Sequence, residues 1–459
     1  MSRRFKEYDL DQDFLLPPSM QEWLPTGDLV YFLLDVVQGL DLRQIYEYYE
    51  VIPSAEGDRP ETKAASGQPP FEPRMMVALL LYAYCNGTPS SRRIAWLCER
   101  DIGYRVLTAN QRPNFRTISE FRRIHLEALK ELFVQVLQLA RVAGLVKLGH
   151  VCLDGTKVKA NASKHKAMSY GRMKEKEAEY RRQIKELLET ARRVDTEEDR
   201  LYGKGHRGDE LPAELQFRES RLKKISEARK ALEAAARERA VEKSGGEDSK
   251  GGKGSQGGGS GGQTKAVPGP KEQRNFTDPD SRIMKMGDKS FDQAYNCQAA
   301  VDADSQIIVA RSTVNAANDK QQLKPMVEQI KKNLRGKPKK LSADSGYYSE
   351  DNVRYLRGRR IDDYLCPDRL KHGEKPPAVR GRIPENLSFS DRVRRKLNTQ
   401  RGRRIYGKRK GAVEPVFGQI KHARRFRQFL LRGLQKADGE WSLWCTTHNL
   451  LKLWAAQPA

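Results

Sequence analysis

The stretch VKLGHVCLDGTKVKA, Val146–Ala160, decides the fold, because the hydrophobic period changes within it. Apolar residues alternate with others up to Leu153, and Asp154 and Gly155 follow. Alternation of this kind marks a half-buried strand, and the Asp-Gly step ends it at a turn. The expected element is a strand that carries an acid at its end.

Upstream, residues 1–145 read as all-helical. Asp28 precedes a run with Val30, Phe32, Leu33, Val36, Val37 and Leu40 near helical spacing. Pro73 opens a second helix that runs through Cys85, and Ser90 and Ser91 are cap residues for a third. Thr117-x-x-Glu120 has the capping-box pattern, and one apolar face then continues from Phe121 to Ala140 before Gly144 stops it. Arg92, Arg93, Arg116, Arg122 and Arg123 are expected to be exposed between these helices. Two readings are open here: a helix-turn-helix DNA reader, or a plain helical bundle.

Downstream, Tyr180, Ile184, Leu187, Leu188 and Ala191 form one helical stripe and Leu222, Ile225, Ala228 and Leu232 another. The polar stretch from Asp195 to Pro212 separates them, so an antiparallel helical hairpin is expected. Gly and Ser dominate residues 244–270, the composition of a flexible linker. Strand signals return in YNCQAAVD (Tyr295–Asp302) and QIIVARSTV (Gln306–Val314), which flank a tight turn and predict a β-hairpin. Asp319–Leu334 has a helical face. KKLSADSGY (Lys339–Tyr347) is a second strand running into an acid, Asp344. Ser349 caps a helix, IDDYLCP is a short strand, and residues 370–400 are basic and irregular. A helix begins near Pro415, and a last amphipathic helix carries Trp441, Leu443, Trp444, Leu450, Leu451 and Trp454. Strand, insertion, hairpin, helix, strand, helix, strand, helix is an α/β order with mixed strand directions.

The formal net charge is +25, which points to a polyanionic partner, most often nucleic acid. The charge is also uneven: Arg380–Arg432 holds 17 Lys and Arg against Glu385, Asp391 and Glu414. The six cysteines (Cys85, Cys98, Cys152, Cys297, Cys366, Cys445) are scattered, with no CxxC pair, so neither a zinc site nor a disulfide framework is expected. No run approaches the ~18 apolar residues of a membrane span. The N-terminal MSRRFKEYDLDQDF lacks a signal-peptide core, and the expected location is the cytoplasm.

One acid stands inside the most basic region. YGKRKGAVEPVFGQIK, Tyr406–Lys421, places Glu414 among Tyr406, Lys408, Arg409, Lys410 and Lys421. Alone, such a carboxylate is either a structural ion-pair partner or part of a site that handles phosphate and metal together. Asp154 and Asp344 at strand ends favour the second, since hard divalent ions take oxygen ligands and three carboxylates can hold two of them. Lys421 lies two helical turns from Glu414, with Val413, Val416, Phe417 and Ile420 as the adjoining apolar stripe. Glu414 precedes Pro415, so it is either inside the helix or its N-cap, with proline at the first helical position. Arg424, Arg425 and Arg427 extend the basic track.

The chain resembles a DDE transposase of a bacterial insertion sequence, of the subgroup with a helical N-terminal transposase domain and a Y-R-E-K signature. The resemblance is carried by PRMMVALLLYAY, SSRRIAWLCERD, LDGTKVKANASKHKAMSYGRM, DTEEDRLYG, GDELP, DPDSRIMK, FDQAYNCQAAVD, LSADSGYYS and EPVFGQIK, in that order along nearly the whole sequence. It implies an RNase H-like mixed-sheet catalytic core, preceded by the helical domain and interrupted by the helical insertion. It implies Asp154, Asp344 and Glu414 as catalytic, metal-binding acids, with two Mg2+ (or Mn2+) ions. Tyr406, Arg409, Lys410, Lys421, Arg424 and Arg425 become the DNA-binding set. The family spacing leaves Arg409 and Lys410 both open as the signature cation.

The implied organisation is 1–145, helical DNA-binding domain; 146–164 with 275–459, catalytic domain; 165–243, helical-hairpin insertion; 244–274, linker. The implied activity is binding of double-stranded DNA at the element's terminal repeats, metal-dependent cleavage, and joining of the 3′-hydroxyls to target DNA. A homodimer in the DNA complex and a nucleoid-associated, cytoplasmic location accompany it. The alternatives are a catalytically decayed protein that only occupies element ends, and a simple metal-dependent nuclease.

Overall fold

The computed structural model describes residues 19–49, 69–202, 213–244, 267–367 and 379–457. The extreme N-terminus, the GDELP motif and most of the Gly/Ser stretch lie outside these residues.

The N-terminal part is helical: α1 (Leu29–Gly39), α2 (Arg43–Tyr46), α3 (Pro73–Cys85), α4 (Ser91–Arg100), α5 (Ile102–Leu107), α6 (Phe115–Ile124) and α7 (Leu126–Val142). Asp28 caps α1 by accepting the Val30 N–H at 2.8 Å, and Pro73 opens α3. Three expectations change. The capping pattern at Thr117 is not the cap: Asn114 Oδ1 accepts the N–H groups of Arg116 and Thr117, one turn earlier. The expected long helix also breaks at His125, whose ring is buried against Phe121 and Tyr49. Arg122 is buried, not exposed, and donates to the Tyr84 hydroxyl and to Pro89 O.

The sheet then begins with β1 (His150–Lys159). The small strands β2 (Ala167–Ser169) and β3 (Gln273–Asn275) pair antiparallel and close the base of a helical hairpin, α8 (Tyr170–Tyr202) and α9 (Ala213–Ser244). α8 runs through Asp195, beyond the expected loop start. Its cross-links, Gln183 to Arg218, Glu177 to Arg229 and Tyr170 to Glu233, run in opposite order on the two helices, so the pair is antiparallel. Tyr170, Met173, Ile225, Ala228 and Leu232 form its own small core.

The remaining elements are β4 (Arg282–Lys285), β5 (Phe291–Asp302), β6 (Ile308–Val314), α10 (Leu323–Leu334), β7 (Lys340–Ala343), α11 (Glu350–Gly358), β8 (Asp362–Leu365), α12 (Phe389–Asn398), α13 (Gln400–Gly418) and α14 (Leu434–Ala455). The sheet order is β6-β5-β1-β7-β8, with β4 sharing an edge of β5. β5 and β6 form the expected hairpin; β1 is antiparallel to β5 and parallel to β7, and β7 is parallel to β8. This is a mixed α/β sheet of RNase H-like arrangement. Part of the region expected to be irregular, 389–398, is the helix α12.

α14 is buried nearly all round from Ala437 to Leu450, not amphipathic as its sequence suggests. It lies between the N-terminal helices and the sheet, so one apolar core runs through both. Trp444 stacks on Phe426 and meets Tyr84 of α3, and Trp441 Nε1 donates to Gln298 O at 3.1 Å. Buried polar groups need partners, and on this helix Asn449 exchanges two 2.8 Å hydrogen bonds with the Ile308 backbone at the start of β6.

Glu440 on the same helix is fully buried and accepts the N–H groups of Leu430 and Leu431. Burial pushes its carboxyl up to about 7, against those two N–H groups and the charge of Arg122. A folded value above the unfolded one gives stability that is fully present below the unfolded pKa and lost as pH rises through about 7. Between about pH 4.5 and about pH 7 the wild type is therefore expected to lose thermal stability relative to Glu440→Gln, with the gap complete by neutrality and constant above it. Parallel melting curves for the two proteins across that range would show that Glu440 does not titrate there.

Candidate active site

Asp154 and Asp344 are brought together by strand register. Leu153 of β1 pairs with Ala343 of β7 in the parallel ladder, and each acid is the next residue along. In open α/β sheets this carboxyl-end crevice is where ligands bind. Asp154 Oδ1 accepts its neighbour's N–H, from Gly155, at 2.8 Å. Asp344 Oδ1 accepts the Gly346 N–H at 3.0 Å, which caps the short turn Ser345–Tyr347. Burial pushes the Asp154 carboxyl up to about 6; Arg409 opposes this and the charge of Asp344 adds to it. Asp344 is raised as well, first by burial, with Arg409 opposing and the charge of Asp319 adding.

Arg409 is the cation that reaches these acids. Its Nη1 donates to Asp154 Oδ2 at 2.8 Å, with both side chains largely enclosed. The guanidinium sits 5.8 Å from the centre of the half-buried Tyr406 ring. Its Nε–H is buried and has no partner among the described residues, an open donor beside the acid pair. Lys410, one residue on, is exposed.

The helix that carries Glu414 begins much earlier than Pro415. Thr399 caps α13 by accepting the Gly402 N–H, and Pro415 lies in the helix interior. A proline there leaves the carbonyl four residues back without its donor. That carbonyl, Gly411 O, accepts instead from Gln306 Nε2 at 3.0 Å, which lets the helix continue. Glu414 is thus inside the helix rather than its N-cap. The buried side of α13 is Ala412, Val413 and Val416. Glu414 is exposed and makes no hydrogen bond or ion pair with any described residue.

After α13 the chain passes through a π-helical turn, Gln419–Ala423. Such turns often occur at functional sites. Here it aims Lys421 at β1: Nζ donates to Thr156 Oγ1 at 3.0 Å and to Lys157 O at 3.1 Å, just past Asp154. Burial lowers the Lys421 pKa. Arg425 is exposed with a left-handed backbone, φ 59°. Arg424 is placed elsewhere. It is buried, donates to Thr447 Oγ1 at 2.8 Å and lies over the Trp444 ring, where desolvation lowers its pKa to about 10. Its position belongs to the core, not to a surface that could meet DNA.

Sequence reading took Asp319 only as the start of a helix. The fold sets it beside both acids: Oδ1 accepts from Asn296 Nδ2 at 2.7 Å and from Gln298 Nε2 at 2.8 Å. No local signal marks it: Asp319 lies five residues beyond the predicted strand Gln306–Val314, and only the packing of β5 against β1 brings it to the acids.

The N-terminal helices carry a separate cationic surface. Arg93 lies 3.9 Å from the centre of the exposed Trp96 ring, and Arg92 and Arg116 flank the exposed Phe115. A groove of about 1200 Å³ runs beside them, with Arg92, Arg112, Phe115 and Arg116 in its wall.

The donors at the sheet end are hard carboxylate oxygens whose mutual repulsion a cation would relieve, and they suit a divalent ion. Among the described residues no three acids, histidines or cysteines are already grouped as a complete metal site. Asp154 and Asp344 are the two that would hold one.

The sheet topology and paired acids define a class, proteins with an RNase H-like core. Comparison with known families is more specific. The Transposase DDE domain matches residues 264–450, and a second family, Transposase domain (DUF772), matches residues 19–123. Together they cover more than half of the chain, which belongs to the DDE transposases of insertion-sequence type. The first match takes in Asp344 and Glu414 but starts after Asp154 and the helical hairpin. Searches of curated proteins and of solved structures give no match.

Proposed function

We propose that this transposase binds the ends of a mobile DNA element, cleaves the DNA there by metal-dependent phosphoryl transfer, and joins the freed 3′-hydroxyls to target DNA. The observation that carries the proposal is the juxtaposition of Asp154 and Asp344 just past the last parallel pair of β1 and β7, with Arg409 on Asp154 and Lys421 bonded to β1; β1 does not end at Asp154 as its Asp-Gly step suggests but continues to Lys159 against β5. Asp154 and Asp344 would hold Mg2+ or Mn2+, with Glu414 joining them when DNA is bound. Two such ions activate the attacking water or hydroxyl and stabilise the leaving oxygen.

The chain's own residues do the positioning, which is most of what phosphoryl transfer requires. Arg409 offers its free Nε–H to a phosphate oxygen beside the acids. Lys421 holds the backbone of the same strand, and Arg425, Tyr406 and Lys410 border the track. The Arg-aromatic surface of residues 1–145 takes duplex DNA at the terminal repeats, and two copies pair the two ends as a homodimer. The catalytic unit comprises 146–164 and 275–459; 165–243 is an insertion and 244–274 its linker.

The direct test incubates the full chain with a plasmid carrying the element's ends and Mg2+. Nicks at the ends and joined products support the proposal; intact plasmid with both Mg2+ and Mn2+ overturns it. For the phosphate contact, Lys421→Ala is expected to make the slope of log affinity against log salt shallower by roughly one. An unchanged slope would count against contact between Lys421 and DNA.

A further inference from the structure

The glycines that follow the two acids, Gly155 and Gly346, make room for the same side chain. A Cβ on Gly155 would lie 3.0 Å from Asp319 Oδ1 and 2.6 Å from Gln298 Nε2. A Cβ on Gly346 would lie 3.3 Å from Asp319 Oδ2 and 3.1 Å from Asp344 Oδ1. All four distances are tighter than ordinary side-chain contact, so a side chain at either glycine would press on the groups around Asp319. The carboxylate of Asp319 therefore sits between Gly155 of β1 and the turn after Asp344.

Its orientation is fixed from behind. Asn296 and Gln298 alternate along β5, are fully buried, and both give an amide N–H to Oδ1. Gln298 in turn accepts the hydroxyl of Tyr347, from the turn after Asp344. Oδ2, on the Gly346 side, makes no hydrogen bond with a described residue, and no described Lys or Arg pairs with Asp319. A carboxylate locked by two amides beside two other acids, with no cation of its own, works against folding through like-charge repulsion. A cation at the site would relieve this repulsion.

We propose that Asp319 is a further metal-facing carboxylate of the centre. Asn296 and Gln298 hold its Oδ1 so that Oδ2 faces the ion carried by Asp154 and Asp344, directly or through a metal-bound water. The inference rests on the metal-dependent reading of the site given above. Divalent ions such as Mg2+ keep several waters, and the groups that orient those waters tune the affinity.

Asp319→Asn tests this, because the amide oxygen still accepts from Asn296 and Gln298 while the charge is gone. Mn2+ binding to the full chain without DNA, followed by calorimetry or by the loss of the free-ion electron paramagnetic resonance signal, is expected to weaken about 10- to 100-fold. The metal-free melting temperature should not fall. Asp319→Ala also removes the acceptor for both amides. If Asp319 were only structural, Ala would lower the melting temperature while Asn bound Mn2+ as the wild type does, and the proposal would be overturned. Asp154→Asn in the same titration separates the two readings. If Asp154→Asn loses Mn2+ and Asp319→Asn does not, only the role of Asp319 fails; if neither loses it, the metal reading of the whole site fails.

Discussion

Asp154→Asn is expected to abolish strand cleavage while leaving binding to the element's ends intact. The substitution keeps the shape of the side chain, and the amide oxygen can still accept from the Gly155 N–H, with the Arg409 contact given up, so the strand persists. What disappears is one of the two charges that make the crevice suitable for a divalent ion. Charge stabilisation in an enclosed site dominates phosphoryl transfer, and a loss on the order of 10³-fold or more is expected. Asp344→Asn should behave alike, since the two acids sit at matching positions of paired strands. Cleavage of labelled end DNA on a gel, beside anisotropy titration of the same DNA, measures both quantities. Full cleavage by Asp154→Asn would remove this residue from the mechanism.

Arg409→Ala is expected to lower the cleavage rate at saturating DNA about 100-fold, on the scale of losing one preorganised donor to developing charge. Lys410→Ala should stay within a few-fold. The sequence leaves the two equivalent, but the helix separates them: Arg409 turns inward to Asp154 and Tyr406, whereas Lys410 is exposed. Arg409→Lys should restore little, because a lysine ammonium lacks the planar fork of N–H donors that matches a phosphate. A large loss in Lys410→Ala with little change in Arg409→Ala would reverse the assignment.

These two positions also show what can be read along the chain and what cannot. Local signals located β1, the β5–β6 hairpin, β7 and the helices α1 and α3, because period, turn and cap are properties of neighbouring residues. The same signals misplaced α13. Pro415 looks like a helix start, and the group that compensates for it inside the helix, the Gln306 side chain, is 105 residues away. Arg122 and Arg424 read as surface cations like their neighbours. Only the packed fold shows that Tyr84 and Trp444 enclose them. The strands β2, β3 and β4 are too short, at three or four residues, to alternate visibly. Asp154 and Asp344 were singled out as acids at strand ends; Asp344 does follow β7, but β1 runs on through Asp154 to Lys159, and Asp319 depends on the register of β5 against β1, which the sequence does not contain.

The central claim is that Asp154 and Asp344 hold a divalent ion together. Crystals of the protein with its end DNA, soaked in Mn2+ and measured at the manganese absorption edge, test it most directly. The account predicts an anomalous peak in contact with both carboxylates, with Arg409 moved from Asp154 toward a DNA phosphate. A crevice without manganese, with Arg409 still paired to Asp154 and the DNA in place, would contradict it.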